Sequence, residues 1–425
     1  MGLFELTGFL LGVTFLLGYL NHRYLRLPQT IGLMLIAMIL SLSVAVLGNH
    51  GFHPLGDFAG KILGKIDFNE ALMIGMLGFL LFAGALNLNI DDLSEKKIEV
   101  AVFSVFSTVI SMFIVGGLMH LVFRVLGLPV PFIYSLLFGA LISPTDPVAA
   151  LGILKEAQAP KTLETKIIGE SLFNDGIGVV LFLGIYGAAV TGAQMSLKEF
   201  GWLFLNEALG GVALGLILGY LTYALLKKIN DFQLEIIGTI ALVMITYALS
   251  LRLHMSGPIA IVVAGLLIGN KGRRFAMSDE TKEHLYSFWL LIDYILNALL
   301  FVLIGLEVAV VRFSFSYILA GLAAIAIVLL ARYVSIALPV IAMKLFKRKF
   351  TQGVINIMTW GGLRGGISVA LVMFLQRGVE KDILLTITYM VVAFSILVQG
   401  LTIKSFVKRQ LEKPVLGGKL RELFG

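Results

Sequence analysis

The segment 169–176, with the sequence GESLFNDG, places four polar side chains in an otherwise apolar stretch of the chain. On a helix, Ser171 and Asp175 are four residues apart and share one face, while Glu170 and Asn174 share a face about 100° away. One helix turn can therefore present a hydroxyl and a carboxylate to an ion. Because burial away from water disfavours the charged form of a carboxylate, a proton and a cation would compete for Asp175.

A second polar segment, 143–147, has the sequence SPTDP. Pro147 has no amide hydrogen to donate, and a residue that precedes a proline is pushed out of helical geometry. That residue is Asp146, so we expect extended backbone around Thr145. Backbone groups left unpaired within a membrane are tolerated only where they line a cavity or find another partner. A cation that prefers oxygen ligands would suit such a break.

A third segment, 360–366, has the sequence WGGLRGG and carries one charge, Arg364. Glycines on both sides of Arg364 predict a second break, and its guanidinium can neutralise helix C-terminal ends that meet there. A buried glutamate also needs a partner, so the sequence predicts a structural ion pair between Glu170 and Arg364. The alternative is that Glu170 binds the ion directly.

The composition indicates that lipid surrounds most of the chain. Of its 425 residues, 58% are hydrophobic and 14% are charged, and the mean hydropathy is +0.96; soluble domains carry roughly 25% charged residues. The net charge of +7 does not indicate a nucleic-acid partner, because the basic residues lie in short gaps between apolar runs. The absence of cysteine excludes disulfides, thiolate metal sites and cysteine nucleophiles.

Apolar runs of about 20 residues predict an all-α polytopic membrane protein with about thirteen transmembrane helices. The ninth predicted span is short, and residues 49–70 are predicted to form a long loop or an interfacial helix. The predicted spans lie near 3–21, 30–48, 71–89, 98–126, 132–153, 166–191, 201–228, 233–252, 257–270, 285–310, 315–343, 351–377 and 382–404.

The loops that hold most of the 33 basic residues are assigned to the cytoplasmic side. This places the N-terminus outside and the C-terminus in the cytoplasm, in the inner (plasma) membrane. Residues 1–404 form the transmembrane unit in this interpretation, and 405–425 form a short basic tail.

Thirteen spans divide into six, one linker and six, so the second set would be upside down relative to the first. Inverted repeats with broken helices near the membrane midplane are typical of secondary transporters. The breaks at 143–147 and 360–366 each fall in the fifth span of a half, which predicts that they cross at the midplane. The simpler alternative is that proline and glycine are common in membrane helices.

Ionisable residues deep within spans are costly and usually mark a transport pathway. The residues predicted to lie deep within spans are Asp146, Glu170, Asp175, Arg332 and Arg364. A second set of ionisable residues lies nearer the predicted ends of spans and is interpreted as solvated, interfacial or structural: Glu207, Glu235, His254, Asp293 and Glu307.

In these motifs the chain resembles the monovalent cation/proton antiporter-1 family, which includes the NhaP-type exchangers. The resemblance rests on SPTDP at 143–147, ESLFND at 170–175 and WGGLRG at 360–365, and it covers essentially the whole chain. It implies sodium (or lithium)/proton exchange by alternating access, a core domain that moves against a dimerisation domain, and a homodimer. No cofactor is expected.

The resemblance also implies roles for individual residues. Asp175 would bind both sodium and the proton, with Ser171 as a further ligand and Thr145 supplying a main-chain carbonyl. Asp146 and Asn174 would support the ion, so the expected sodium site comprises Asp175, Ser171, Thr145 and Asp146. Arg332, in the sequence ARY at 331–333, corresponds to a second buried arginine of the family. Asparagine immediately before the aspartate goes with electroneutral one-for-one exchange.

One position departs from some archaeal relatives, which carry an ion-binding glutamate in the third helix. Here the sequence FAGAL at 82–86 puts Ala83 at that place. Asn87 and Asn89 lie a turn or more away and are not favoured as replacements. The departure leaves the choice among sodium, lithium and potassium open.

Three other functions are alternatives to sodium/proton exchange. A potassium/proton antiporter would keep the fold and change the ion. An intramembrane aspartyl protease would need Asp146 and Asp175 to share a proton and a water, but its usual motifs do not surround them. A channel is disfavoured because no repeated filter-like carbonyl segment is present.

Overall fold

The computed structural model describes residues 3–49, 75–146, 160–191, 197–307, 314–348 and 350–412, and the regular structure in these ranges is helical. The first helices, up to the first break, are α1 (Leu3–Leu20), α2 (Gln29–Asn49), α3 (Leu77–Leu86), α4 (Ile90–Glu95), α5 (Lys97–Val125) and α6 (Phe132–Ile142). They are followed by α7 (Lys161–Thr191), α8 (Leu197–Leu226), α9 (Phe232–Arg252), α10 (Gly257–Leu267), α11 (Asp279–Glu307), α12 (Phe315–Leu345), α13 (Val354–Trp360), α14 (Gly366–Met373) and α15 (Val379–Glu412).

Seven helices in the described ranges are long and apolar enough to cross a membrane: α5, α7, α8, α9, α11, α12 and α15. A further pair, Thr7–Leu25 and Gln29–Ser41, is bent by 107° at the break between them. Each predicted span contains helix where the structure describes it, and two of them, 132–153 and 351–377, are interrupted at residues 143–146 and 361–365. The short ninth span is α10, which continues as a π-helical turn over Ile268–Gly272. The predicted polar segment 49–70 lies almost wholly outside the described residues, and the boundary predicted at 404 falls inside α15.

Side-chain caps explain where several spans begin. Asp231 accepts hydrogen bonds from the amides of Gln233 and Leu234 at the start of α9. Ser256 accepts one from the Ile259 amide at the start of α10. Such caps satisfy amide groups that have no partner within the helix, so these polar residues separate one apolar run from the next.

The two predicted breaks meet. α6 ends at Ile142, and the amide of Asp146 donates to the carbonyl of Leu363 over 2.7 Å, in the break between α13 and α14. The prediction that these proline- and glycine-containing segments come together is confirmed; the inverted repeat itself stays a prediction.

Helix α7 packs directly against the first break. A Cβ atom at Gly178 would collide with the ring of Pro144, so the ring approaches the backbone of α7 as closely as only glycine permits. This contact places residues 170–178 of α7, with their polar side chains, beside the non-helical segment 143–146 that follows α6.

Candidate functional site

Thr145, in the first break, is bonded to two side chains of α7. Its amide donates to the Asn174 Oδ1 atom (3.2 Å), and its hydroxyl accepts from the Asn174 Nδ2 atom (2.9 Å). The hydroxyls of Thr145 and Ser171 lie 2.9 Å apart. All three side chains are buried. The break is therefore held in one geometry by the polar face of α7.

Asp175 lies one helix turn from Ser171, in a cavity of about 60 Å³. Its carboxylate is 3% exposed, and no residue within the described ranges donates a hydrogen bond to it. This volume is well above the roughly 10–15 Å³ of such space that one water molecule needs. Polar residues and the two breaks contribute Pro144, Thr145, Asp146, Asp175, Asn297, Gly365, Gly366 and Ser368 to the lining. A small cation, together with water, fits this space.

The predicted sodium site is brought together only in part. Thr145, Asp146 and Asp175 line one cavity. Ser171 and Asn174 instead direct their polar atoms at Thr145. The roles assigned to these five residues in ion binding stay predictions.

Glu170 is bonded to Arg332, and the predicted pair between Glu170 and Arg364 is wrong. The Arg332 Nη1 and Nη2 atoms each lie 2.7 Å from a carboxylate oxygen of Glu170, and both side chains are buried. Asn174 Nδ2 adds a third hydrogen bond to Glu170 Oε1 (2.8 Å). Helix α12 places Arg332 opposite Glu170, while the guanidinium of Arg364 bonds elsewhere. Arg332, predicted only to support the site, is thus the residue that pairs with Glu170.

Arg364 binds the end of the broken helix instead. Its Nη1 atom donates to the carbonyls of Ser143 (2.6 Å) and Pro144 (2.8 Å), and its amide donates to the Ser395 hydroxyl (2.8 Å). These carbonyls follow the last turn of α6, where the helix dipole is negative. The prediction that Arg364 neutralises a helix end is confirmed.

The third-helix position that departs from some archaeal relatives contributes no side chain to the cavity. Ala83 is buried in the packed core, and its neighbour Gly84 lines the cavity. Asn87 donates to the carbonyl of Ala83, and Asn89 caps α4 by accepting from the Asp91 amide. Both asparagines are thus used locally, as the sequence analysis favoured.

Two residues of α11, Asp293 and Asn297, were not predicted to belong to the site. Asn297 is 4% exposed and lines the cavity with Asp175, and its Nδ2 atom donates to Asp293 Oδ1 (3.0 Å). Asp293 was placed near the end of a span, yet it lies at the middle of α11. The spacing of four residues between two polar side chains in an apolar run was the signal that could have identified them.

The chain matches the family model described as sodium/hydrogen exchanger, transmembrane, over residues 11–409. The chain belongs to this exchanger family. It is 47% identical to the Na(+)/H(+) antiporter NhaP of Pseudomonas aeruginosa, in an alignment covering 95% of this chain and 96% of that protein. It is 32% identical to the Na(+)/H(+) antiporter NhaH of Halobacillus dabanensis, covering 91% and 93%.

The solved structure of a sodium proton antiporter shares this architecture. The sodium proton antiporter MjNhaP1 of Methanocaldococcus jannaschii superposes with a TM-score of 0.75 at 19% identity, covering 97% of this chain and 100% of that one. At this identity the likeness concerns the fold alone. The chain is thus a multi-pass, all-helical membrane protein with the exchanger fold.

Proposed function

We propose that this protein exchanges sodium or lithium for protons across the membrane by alternating access, with both ions competing for Asp175. The observation that carries the proposal is a buried carboxylate with no hydrogen-bond donor among the described residues, in a cavity where two helix breaks meet. The relatives named as Na(+)/H(+) antiporters support sodium and protons as the exchanged ions. As a transporter of this family, the chain is not an aspartyl protease.

Competition at one carboxylate gives the exchange cycle. A buried carboxylate is costly when charged and alone, so it holds either a proton or a cation. Only the two occupied forms would cross between the inward-open and outward-open states. Thr145, Asp146 and Ser171 would contribute oxygen atoms to the cation, and Asn174 would hold Thr145 in position.

An exchange ratio of one sodium for one proton follows from the neutral side chain of Asn174. Its amide nitrogen is bonded to Glu170 and Thr145, and Glu170 is already neutralised by Arg332. Of the two buried carboxylates on α7, Asp175 is then the one left to exchange its proton. The cycle would carry no net charge.

We also propose a membrane orientation and an assembly for this protein. We place the protein in the plasma membrane with its N-terminus outside and its C-terminus in the cytoplasm, following the distribution of basic loops. The working unit would be a homodimer in which a core domain containing the two breaks moves against a dimerisation domain.

Purified protein in vesicles with a trapped pH dye tests the proposal. Sodium, lithium or potassium is added with and without a potassium-ionophore voltage clamp. We expect sodium- or lithium-dependent proton movement that the clamp leaves unchanged. A response to potassium alone would show potassium/proton exchange by the same mechanism. No response to sodium, lithium or potassium would refute the proposed function.

A further inference from the structure

Asp293 occupies an unusual position for a charged residue. It lies fourteen residues from both Asp279 and Glu307, the two ends of α11, and α11 is one of the helices long and apolar enough to span the membrane. Ionisable groups at such depth are costly and mark ion pathways by default. Asp293 is half-buried, and none of the described basic residues forms a salt bridge with it.

The contacts of Asp293 connect it to the cavity of Asp175. Asn297, one turn further along α11, donates through Nδ2 to both the carboxylate (3.0 Å) and the carbonyl (2.9 Å) of Asp293. Asp146 lines the same cavity as Asn297, so Asn297 connects the Asp293 carboxylate to a space walled by the carboxylates of Asp146 and Asp175. A cation in that space would offset the repulsion among like charges brought together there.

The amide oxygen of Asn297 supplies an independent indication of a ligand. The side chain is 4% exposed and lines the cavity, its nitrogen is fully used by Asp293, and no described residue donates to its oxygen. The oxygen is not among the fully enclosed polar atoms of the described residues, so a ligand in the cavity can reach it. A cation that prefers oxygen ligands would satisfy it.

We propose that Asp293 and Asn297 form a second binding subsite for a small monovalent cation, on the path from the α11 N-terminal face to Asp175. The inference rests on the proposed exchange function and adds an entrance to it. The carboxylate of Asp293 attracts the ion. The amide oxygen of Asn297 then binds it at the edge of the cavity that Asp146 and Asp175 also line.

Transport kinetics provide the first test. Sodium is supplied at the face that carries the α11 N-terminus, and exchange is measured for the wild type, Asp293→Asn and Asp293→Glu. A cleft lined by one sign of charge raises counter-ion capture by ten- to a thousand-fold. We expect Asp293→Asn to lower kcat/KM for sodium about tenfold with kcat nearly unchanged, and Asp293→Glu to restore it to within about twofold.

A salt series and a matched variant distinguish electrostatic attraction of sodium by Asp293 from a structural effect of the substitution. The loss in Asp293→Asn should shrink at about 1 M choline chloride, where the Debye length is about 3 Å. Glu283→Gln removes the same charge from an exposed position of α11 and should match the wild type. A parallel loss of kcat and melting temperature in Asp293→Asn, or an unchanged kcat/KM, would overturn the subsite.

Sodium binding without transport gives a second, independent readout. In Asp175→Asn protein, weak binding at the subsite should still broaden the sodium NMR line of the solution. Adding Asp293→Asn should abolish this residual broadening, whereas adding Glu283→Gln should preserve it. Equal broadening in all three proteins would overturn the subsite even if the wild type exchanges sodium, whereas a wild type without exchange would remove the proposed function instead.

Discussion

Glu170 and Arg332 form a buried ion pair with the planar, two-bonded geometry that arginine favours. Both charges are removed from solvent, and Asn174 and Thr145 link the pair to the first break. A buried pair contributes little net stability, but removing one partner strands a charge and costs about 3–5 kcal/mol. The pair therefore acts mainly to fix the position of α7 against α12.

Arg332→Met should strand the Glu170 carboxylate and lower the melting temperature of the purified protein substantially. Glu170→Leu combined with Arg332→Met removes both charges and should recover much of that loss. Thermal unfolding in detergent, followed by intrinsic fluorescence, measures the series. A double variant less stable than Arg332→Met would contradict the pairing.

The two helix breaks depend on contacts that a small addition would disrupt. Gly365 lies directly against the side chain of Asp146, where a Cβ atom would overlap the carboxylate. Arg364, the residue before Gly365 in the second break, holds the end of α6 by donating to the Ser143 and Pro144 carbonyls. The geometry of the cavity is thus set jointly by both breaks.

Gly365→Ala should therefore displace Asp146 and raise the KM for sodium by about tenfold or more, with a modest loss of stability. Gly187→Ala is a matched control, because an added Cβ at that position meets nothing within 4 Å. Both variants are assayed for sodium-dependent proton movement in vesicles. Equal KM values in the two variants would show that the contact at Gly365 does not position the site.

Local sequence signals predicted the breaks, whereas long-range partners escaped prediction. Proline after Asp146 and glycines around Arg364 act on their own backbone, so their effect is visible without a structure. The partner of Glu170 depends on how α12 packs against α7, and residue spacing carries no such information across 162 positions. Asp293 was predicted to lie near a span end because the predicted span begins at residue 285. The helix α11 in fact begins at Asp279, and its polar first turn was not counted in the span.

At the scale of the whole molecule, exchange at a single carboxylate predicts how activity depends on pH. Each sodium must displace one proton from Asp175, so the apparent KM for sodium should rise as the pH falls, by up to tenfold per pH unit. The maximal rate should depend on pH much less than KM does. Initial rates at several sodium concentrations and pH values measure this, and a KM independent of pH would contradict competition.

The central claim is that Asp175 holds either a proton or a sodium ion. Calorimetric titration of the purified protein with sodium, in two buffers of different ionisation enthalpy, counts the protons released per sodium bound. We predict a release approaching one proton in the wild type at pH values where the site is protonated, and none in Asp175→Asn. Sodium binding to the wild type without proton release, or release that persists in Asp175→Asn, would contradict the account.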